Sequence, residues 1–107
     1  MRYEILLAPS AVRELRALAA HDRARVKEEI ERHLRHEPTK LSKSRIKRLR
    51  GLSRPQFRLR TDDIRVFYDV TATAVQVLAI ISKAQAAAWL EGQGTPDPGG
   101  PPGEGQG

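Results

Sequence analysis

The segment from Gln56 to Ile81 constrains the fold of this chain more than any other part of it. Its apolar stretches, "FRLR", "IRVFYDV" and "AVQVLAII", are separated by the short polar links "TDD" and "TAT". Alternation of apolar and polar residues is typical of half-buried β-strands, and Thr and Asp links are typical of turns. The segment therefore predicts an antiparallel meander. Its last strand is apolar at nearly every position, so we expect it to lie in the middle of the sheet.

The residues before Pro38 predict a strand followed by a hairpin of two amphipathic helices. Tyr3 to Leu7 is a short apolar run that ends before Pro9, and Ser10 is placed to cap the first helix. Apolar residues then recur at helical spacing in two groups until Pro38 closes the second. These are Val12, Leu15 and Leu18 in the first group and Val26, Ile30 and Leu34 in the second.

The composition changes twice near the C-terminus. After Ser82 the Ala-rich sequence "KAQAAAWLEG" predicts a short helix that carries Trp89. Residues 92–107 are rich in Gly and Pro and predict a disordered tail, because such a segment buries too little apolar surface. Residues 1–91 then form one α+β domain. We expect a small antiparallel or mixed sheet of about four strands, packed against the N-terminal helical hairpin, with a short C-terminal helix.

Positive charge is concentrated in one part of the chain. Lys and Arg number 19 against 13 Asp and Glu, which gives a formal net charge of +6. Nine basic residues and no acidic one lie from Lys40 to Arg60. We expect the part of this segment up to Arg54 to be a basic loop or a frayed helical end. An unmixed run of this kind favours an anionic partner, with nucleic acid first.

The predicted hairpin places arginines together on one face. If Asp62 and Asp63 form a two-residue turn, Arg60 pairs with Arg65 and Arg58 pairs with Phe67. The other face then carries the apolar set Phe57, Leu59, Val66 and Tyr68 and packs against the helices. Like charges directly opposite each other destabilise a sheet. The arginine face with its exposed Phe67 ring therefore predicts a site for phosphates and a stacked base.

The sequence excludes or disfavours several classes of functional site and of targeting signal. The chain has no Cys, which rules out disulfides and thiolate chemistry. We expect His33 and His36 to face solvent and His21 to cap a helix. No Gly-rich phosphate loop, paired carboxylate site or metal-spaced cluster is visible, so no cofactor and no metal are predicted. No apolar run is long enough for a secretory signal or a membrane span, and we expect the cytoplasm.

The order of these elements and four short motifs resemble a known family. Leu49, Gly51 and Leu52 are followed by a strand with Arg58 and Arg60, then by "IRVFY" at 64–68 and "VQVLAI" at 75–80. Over roughly residues 2 to 90 the chain resembles the RelE/ParE superfamily of bacterial type II toxins. The motifs are individually weak, and their order and spacing carry the resemblance.

The resemblance implies a small toxin that a cognate antitoxin neutralises. RelE-like members cleave messenger RNA on the ribosome by attack of the ribose 2′-hydroxyl, with no metal, and thereby inhibit translation. ParE-like members poison DNA gyrase. We expect the first activity for this chain. A gyrase inhibitor, or a non-catalytic relative that binds antitoxin or RNA, are the alternatives.

The resemblance also suggests roles for single residues. Arg65 stands at the phosphate-contacting arginine of the family, and Arg58 stands where a lysine is the base, although arginine is a poor proton acceptor. Lys83 could protonate the leaving oxygen, and Trp89 could stack on a base or belong to the core. The predicted catalytic residues are Arg58, Arg65 and Lys83. The predicted RNA-binding residues are Lys43, Arg45, Lys47, Arg48, Arg50, Arg54, Arg60, Phe67 and Trp89.

Overall fold

A computed structural model describes residues 1–98 of the chain as an α+β fold, as predicted. The helices are Pro9–Ala17 (α1), Ala20–Leu34 (α2) and Lys83–Gln93 (α3). The strands are Glu4–Leu7 (β1), Ile46–Arg48 (β2), Leu52–Arg54 (β3), Phe57–Thr61 (β4), Ile64–Val70 (β5), Ala74–Ser82 (β6) and Thr95–Pro96 (β7). Among these residues no helix is both long enough and apolar enough to cross a membrane.

The main sheet is mixed and has the strand order β1-β6-β5-β4-β2. Strand β1 is parallel to β6, whereas β4, β5 and β6 form the predicted antiparallel meander. Strand β6 lies between β1 and β5, so the most apolar strand is internal as expected, although the middle position of the five belongs to β5. Its apolar residues meet helices on both sides of the sheet.

The predicted register of the β4–β5 hairpin is confirmed. Arg60 pairs with Arg65, and Arg58 pairs with Phe67. The turn needs one residue in the left-handed region, and Asp62 adopts it with φ 53°. Asp is among the few residue types other than Gly that are enriched there. The short polar link between two alternating strands was therefore enough to set the register.

The sheet has five strands, so the prediction of about four is one strand short. The extra strand, β2, comes from the segment predicted as a basic loop or frayed helical end. Only Ile46 of this strand is buried, opposite Leu59 of β4. A strand with one buried residue is too short to show alternation in the sequence, which is why it was missed.

Helix α1 is fixed to the sheet through a β-bulge, and Ser10 is part of that contact. The β5–β6 register shifts between Phe67 and Tyr68, which leaves Leu78 of β6 as the extra residue. Ser10 Oγ donates a hydrogen bond to the Leu78 carbonyl at 3.1 Å, and the backbone N–H of Ile80 donates to Glu14 Oε1 at 2.9 Å. The prediction that Ser10 caps α1 is wrong, since Ala8 holds that position without a side-chain cap.

Buried apolar residues form one cluster on each face of the sheet. The larger cluster lies between the sheet and the helices α1 and α2 and includes Val26, Ile30, Leu34, Leu59, Val66, Tyr68 and Val77. The smaller cluster consists of Phe67, Ala79 and Ile81 and packs beneath Trp89 and Leu90 of α3. The C-terminal helix thus covers the β5–β6 part of the far face.

Secondary structure continues beyond residue 91, the predicted end of the domain. Helix α3 runs to Gln93, and β7 pairs with β3. A Cβ at Gly94 would lie 2.5 Å from the Leu90 carbonyl oxygen and 3.2 Å from a Leu52 methyl group, so the close approach of these segments requires Gly. The first part of the predicted tail therefore has secondary structure, and residues 99–107 lie outside the described residues.

Candidate nucleic-acid interface

Four cationic residues share the face of the sheet that points away from α1 and α2. Lys47 of β2 lies opposite Arg58 of β4, and Arg60 of β4 lies opposite Arg65 of β5. Residues directly opposite each other project from the same face. We call the set Lys47, Arg58, Arg60 and Arg65 the basic face. It spans three neighbouring strands, as the hairpin pattern predicted for its arginines.

The four side chains differ in exposure. Lys47 and Arg60 are exposed, and Arg58 is half-buried with its Nε buried and without a hydrogen-bond partner among the described residues. Arg65 is only 6% exposed. Its Nη1 donates to the carbonyl oxygens of Asp62 at 2.9 Å and Ile64 at 3.1 Å. Arg65 therefore braces the hairpin turn as well as contributing charge to the basic face.

The charges of the basic face repel one another. None of its four members forms an ion pair within residues 1–98. Burial lowers the pKa of the Arg58 guanidinium, and the positive charges of Arg65 and Arg60 lower it further. Burial and the charge of Arg60 also lower the pKa of Arg65, against the opposing effect of Asp63. A bound anion would relieve this repulsion.

The aromatic residues predicted to stack on a base are engaged within the protein. Phe67 is fully buried, so the prediction of an exposed ring is wrong. It stacks on Trp89 of α3 with ring centroids 5.0 Å apart and an angle of 11° between the planes. Of the two roles left open for Trp89, the structure places it on the smaller core cluster. The position of Phe67 on the arginine face and the C-terminal helix were both predicted, but the packing of this helix over the Phe67 ring was not.

Lys83 lies at the hairpin-turn end of the sheet. It is the first residue of α3, and its backbone N–H donates to the Asp63 carbonyl at 2.6 Å. Its side chain is exposed. Arg65 pairs with Ile81, two residues before Lys83. The structure therefore brings two of the three predicted catalytic residues to the same end of the sheet.

The other predicted RNA-binding residues are dispersed. Arg48 lies on the helix side of the sheet, with its guanidinium carbon 5.2 Å from the centroid of the Phe57 ring. Arg54 forms an ion pair with Asp69 at 3.2 Å. Arg45 is at the sheet edge beside α2. Lys43 and Arg50 are exposed in the segments that flank β2. Most of the basic run thus lies around the basic face rather than on it.

The sequence missed a polar pair on the inner side of α2. The His33 side chain is only 19% exposed, and its Nε2 lies 3.4 Å from Oε2 of the buried Glu29, so the prediction that His33 faces solvent is wrong. Burial, helped by the charge of Arg45, lowers the pKa of His33. The i,i+4 spacing of these residues was the available signal. Within residues 1–98 no group of three or more metal-ligating side chains is present.

Comparisons with known proteins agree with the fold. Residues 5–87 match the family model described as the ParE toxin of type II toxin–antitoxin system, parDE. The archaeal RelE–RelB complex from Pyrococcus horikoshii OT3 contains a chain of similar fold, with a TM-score of 0.65 and 24% identity, over 79% of this chain and 99% of that one. No curated protein gives a significant match.

Two further solved complexes have similar chains. The toxin–antitoxin complex RelBE2 from Mycobacterium tuberculosis gives a TM-score of 0.59 and 24% identity over 77% of this chain and 99% of that chain. The RelB–RelE complex from Methanococcus jannaschii gives a TM-score of 0.58 and 19% identity over 78% of this chain and 96% of that chain. These similarities concern the fold, whereas the family match covers most of the chain. The chain belongs to the ParE toxin family of type II toxin–antitoxin systems, within the RelE/ParE superfamily.

Proposed function

We propose that this toxin is a metal-independent endonuclease that cleaves messenger RNA on the ribosome and so inhibits translation. The observation that carries the proposal is the basic face, where four cations share one surface and none is paired with a carboxylate within residues 1–98. Guanidinium groups bind phosphate through two parallel hydrogen bonds, which suits a polyanionic strand. The similar fold of chains solved in RelE–RelB complexes supports the same choice.

The proposed reaction uses the basic face to hold the scissile phosphate. Arg58 and Arg60 contact the phosphate oxygens, and Arg65 adds positive charge from the hairpin turn. The adjacent 2′-hydroxyl attacks phosphorus and the bond to the 5′-oxygen breaks, which leaves a 2′,3′-cyclic phosphate and a 5′-hydroxyl. The 2′-hydroxyl proton passes to solvent water, because guanidinium remains protonated in proteins and none of the arginines can accept it. Their role is to stabilise the charge that develops on the phosphate.

Lys83 is the proposed proton donor to the leaving 5′-oxygen. It is exposed, and it starts α3 at the turn end of the sheet, close in the fold to Arg65. The stacked Phe67 and Trp89 rings hold α3 on the sheet and thereby position Lys83. Trp89 acts here through the placement of the helix, and no role in base stacking is assigned to either ring.

Gyrase inhibition is the second candidate. The family model that matches is the one described for ParE. Three of the four members of the basic face are also arginines, which are poor general bases, and an arginine stands where the nuclease branch carries a lysine base. In this reading the same face binds gyrase or its DNA complex, and the toxin breaks no bond itself.

We also infer a cognate antitoxin as partner and the cytoplasm as the place of action. The chains of similar fold were solved in complexes with RelB antitoxins. Within residues 1–98, β1 is an outer strand with no further strand paired to it, and an extended segment can add to this edge as a strand. On β2 the backbone N–H and C=O of Ile46 are already bonded to Ser42. Acidic residues of such a segment would neutralise the basic face.

Primer extension on total messenger RNA after induction of the chain alone tests the proposal. We expect new 5′ ends within coding regions for the wild type and for Lys27→Gln, an exposed charge loss on α2. We expect none for Arg60→Gln, since Arg60 is exposed and its loss should leave the fold intact. Intact messages with arrested replication would favour gyrase. Intact messages with normal growth would leave a non-catalytic relative that binds antitoxin or RNA.

A further inference from the structure

A notch of about 240 Å³ lies at the corner between α2, the start of β2 and the β4–β5 turn. Three arginines line it, Arg25, Arg45 and Arg60, together with the carboxylates of Glu29 and Asp62. Arg60 also belongs to the basic face. The notch is therefore next to the proposed RNA site, around the edge of the sheet, on the side where α2 packs.

The charges in the notch leave two guanidinium groups unpaired. Arg25 lies 4.0 Å from Asp62, and Glu29 is paired with Arg32 at 4.0 Å and with His33. Neither Arg45 nor Arg60 has an ion pair within residues 1–98. The backbones of these two residues are neighbours, because the Arg60 N–H donates to the Arg45 carbonyl at 2.8 Å.

One residue that lines the notch also carries a buried hydroxyl without a partner among the described residues. Thr61 is 3% exposed and lines the notch, and its Oγ1 is buried without a hydrogen bond to any described residue. Buried polar atoms are nearly always hydrogen-bonded, so this hydroxyl marks an unsatisfied polar position in the wall of the notch. The unpaired guanidinium groups at the notch suit the oxygens of a phosphate.

We propose that this notch binds a phosphate of the RNA backbone beyond the one held on the basic face. Arg60 stands at the junction of the two sites, so a strand that crosses the basic face reaches the notch at its edge. Arg45 is then a residue that positions RNA from outside the basic face. The choice of RNA as the source of the phosphate rests on the proposed function. The inference that the notch binds a phosphate rests only on the residues that line it.

The test measures binding of a single-stranded RNA oligonucleotide whose 2′-O-methyl groups prevent cleavage. Fluorescence anisotropy over a range of salt concentrations gives the affinity and its salt dependence. For Arg45→Gln we expect an affinity about fivefold lower and a salt slope lower by about 0.7, the value for one lost phosphate contact on a single strand. Lys27→Gln removes the same charge from the far side of α2 and should change neither.

Equal behaviour of Arg45→Gln and Lys27→Gln would overturn the proposal, as would a wild-type chain that binds no RNA at low salt. A second arm titrates inorganic phosphate and follows the amide resonances of Arg45 and Thr61. Phosphate could shift these two amide resonances while Arg45→Gln leaves the affinity for RNA unchanged. In that case the notch binds a small phosphorylated molecule, and the proposal that it binds the RNA backbone is wrong. The binding assay uses an RNA that cannot be cleaved, so its result does not depend on nuclease activity. Absence of messenger RNA cleavage in cells would therefore contradict the proposed function but not the proposal that the notch binds phosphate.

Discussion

The two halves of the sheet face opposite α1 and α2 are built from the same strand alternation but are used differently. Over β5 and β6, α3 buries Phe67, Ala79 and Ile81. Over β2 and β4, no helix of the described chain covers Lys47, Arg58 and Arg60. The covered half stabilises the fold through apolar burial. The open half gathers like charges, which disfavour the fold, and our proposal places the function there because of this contrast.

Arg65 lies at the boundary between the halves and shares properties of both. It is buried and donates to two backbone carbonyls of the turn, like a residue of the fold. It also lies directly opposite Arg60, as a member of the basic face. Substitutions in the two halves should therefore separate stability from toxicity, with Arg65 affecting both.

The largest stability effect is expected in the covered half. Phe67→Ala removes a fully buried ring and its stack on Trp89, and should lower the free energy of unfolding by about 3–5 kcal/mol. Urea denaturation measures the change, and Phe67→Leu serves as a conservative control with a smaller loss. An unchanged stability with lost toxicity would mean that Phe67 acts on a ligand, against the role assigned to it here.

The next effect distinguishes the boundary residue from its neighbour. Arg65→Ala leaves the carbonyls of Asp62 and Ile64 without their donor and should cost about 1–3 kcal/mol, besides reducing toxicity. Arg60→Ala should change stability by less than about 0.5 kcal/mol, because its side chain is exposed. Chemical denaturation of both variants checks this. Equal losses of stability would show that Arg65 does not brace the turn.

A smaller effect of opposite sign is expected in the open half. Arg58→Met removes a half-buried guanidinium that has an unpaired Nε and like-charged neighbours, so stability should rise by about 0.5–1 kcal/mol. Toxicity should fall at the same time. Thermal and urea unfolding, alongside growth after induction, measure both. A destabilised Arg58→Met would indicate that the basic face contributes to the fold after all.

The smallest expected effect is a pH dependence of stability that comes from His33 on the inner side of α2 and not from the basic face. Burial lowers the folded-state pKa of His33 below its ordinary value of about 6.5, so below that pH the unfolded chain binds more protons. Stability should decrease as pH falls from about 7.5 to 5.5, a range in which Arg and Lys do not titrate. Unfolding curves over this range should be flatter for His33→Asn. An equally steep dependence in that variant would assign the effect to other groups.

The sequence predicted the strand pairing that follows from the alternation of apolar and polar residues in two neighbouring strands. The β4–β5 register followed from matched apolar positions on either side of Asp62 and Asp63, and with it the set of arginines on one face. Strand β2 was not predictable in this way, because only Ile46 of its three residues is buried.

Features that depend on which side chains and helices cover the sheet were not predictable. The burial of Phe67 depends on a helix that begins at Lys83, and the burial of Arg65 depends on its side chain turning back to the turn carbonyls. Ala79 and Ile81 lie opposite Phe67 and Arg65 and are apolar, which was the available sign that this half is covered. Single-strand alternation places side chains on a face, but it does not tell which part of the face is covered.

The most direct test of the open half compares two double variants in cells that express the toxin alone. Arg58→Gln with Arg60→Gln removes two charges from the basic face. Arg13→Gln with Lys27→Gln removes two exposed charges from α1 and α2. At equal protein levels, we expect the first pair to abolish growth arrest and the second to retain it. Full growth arrest by the basic-face variant would contradict the assignment of function to that face.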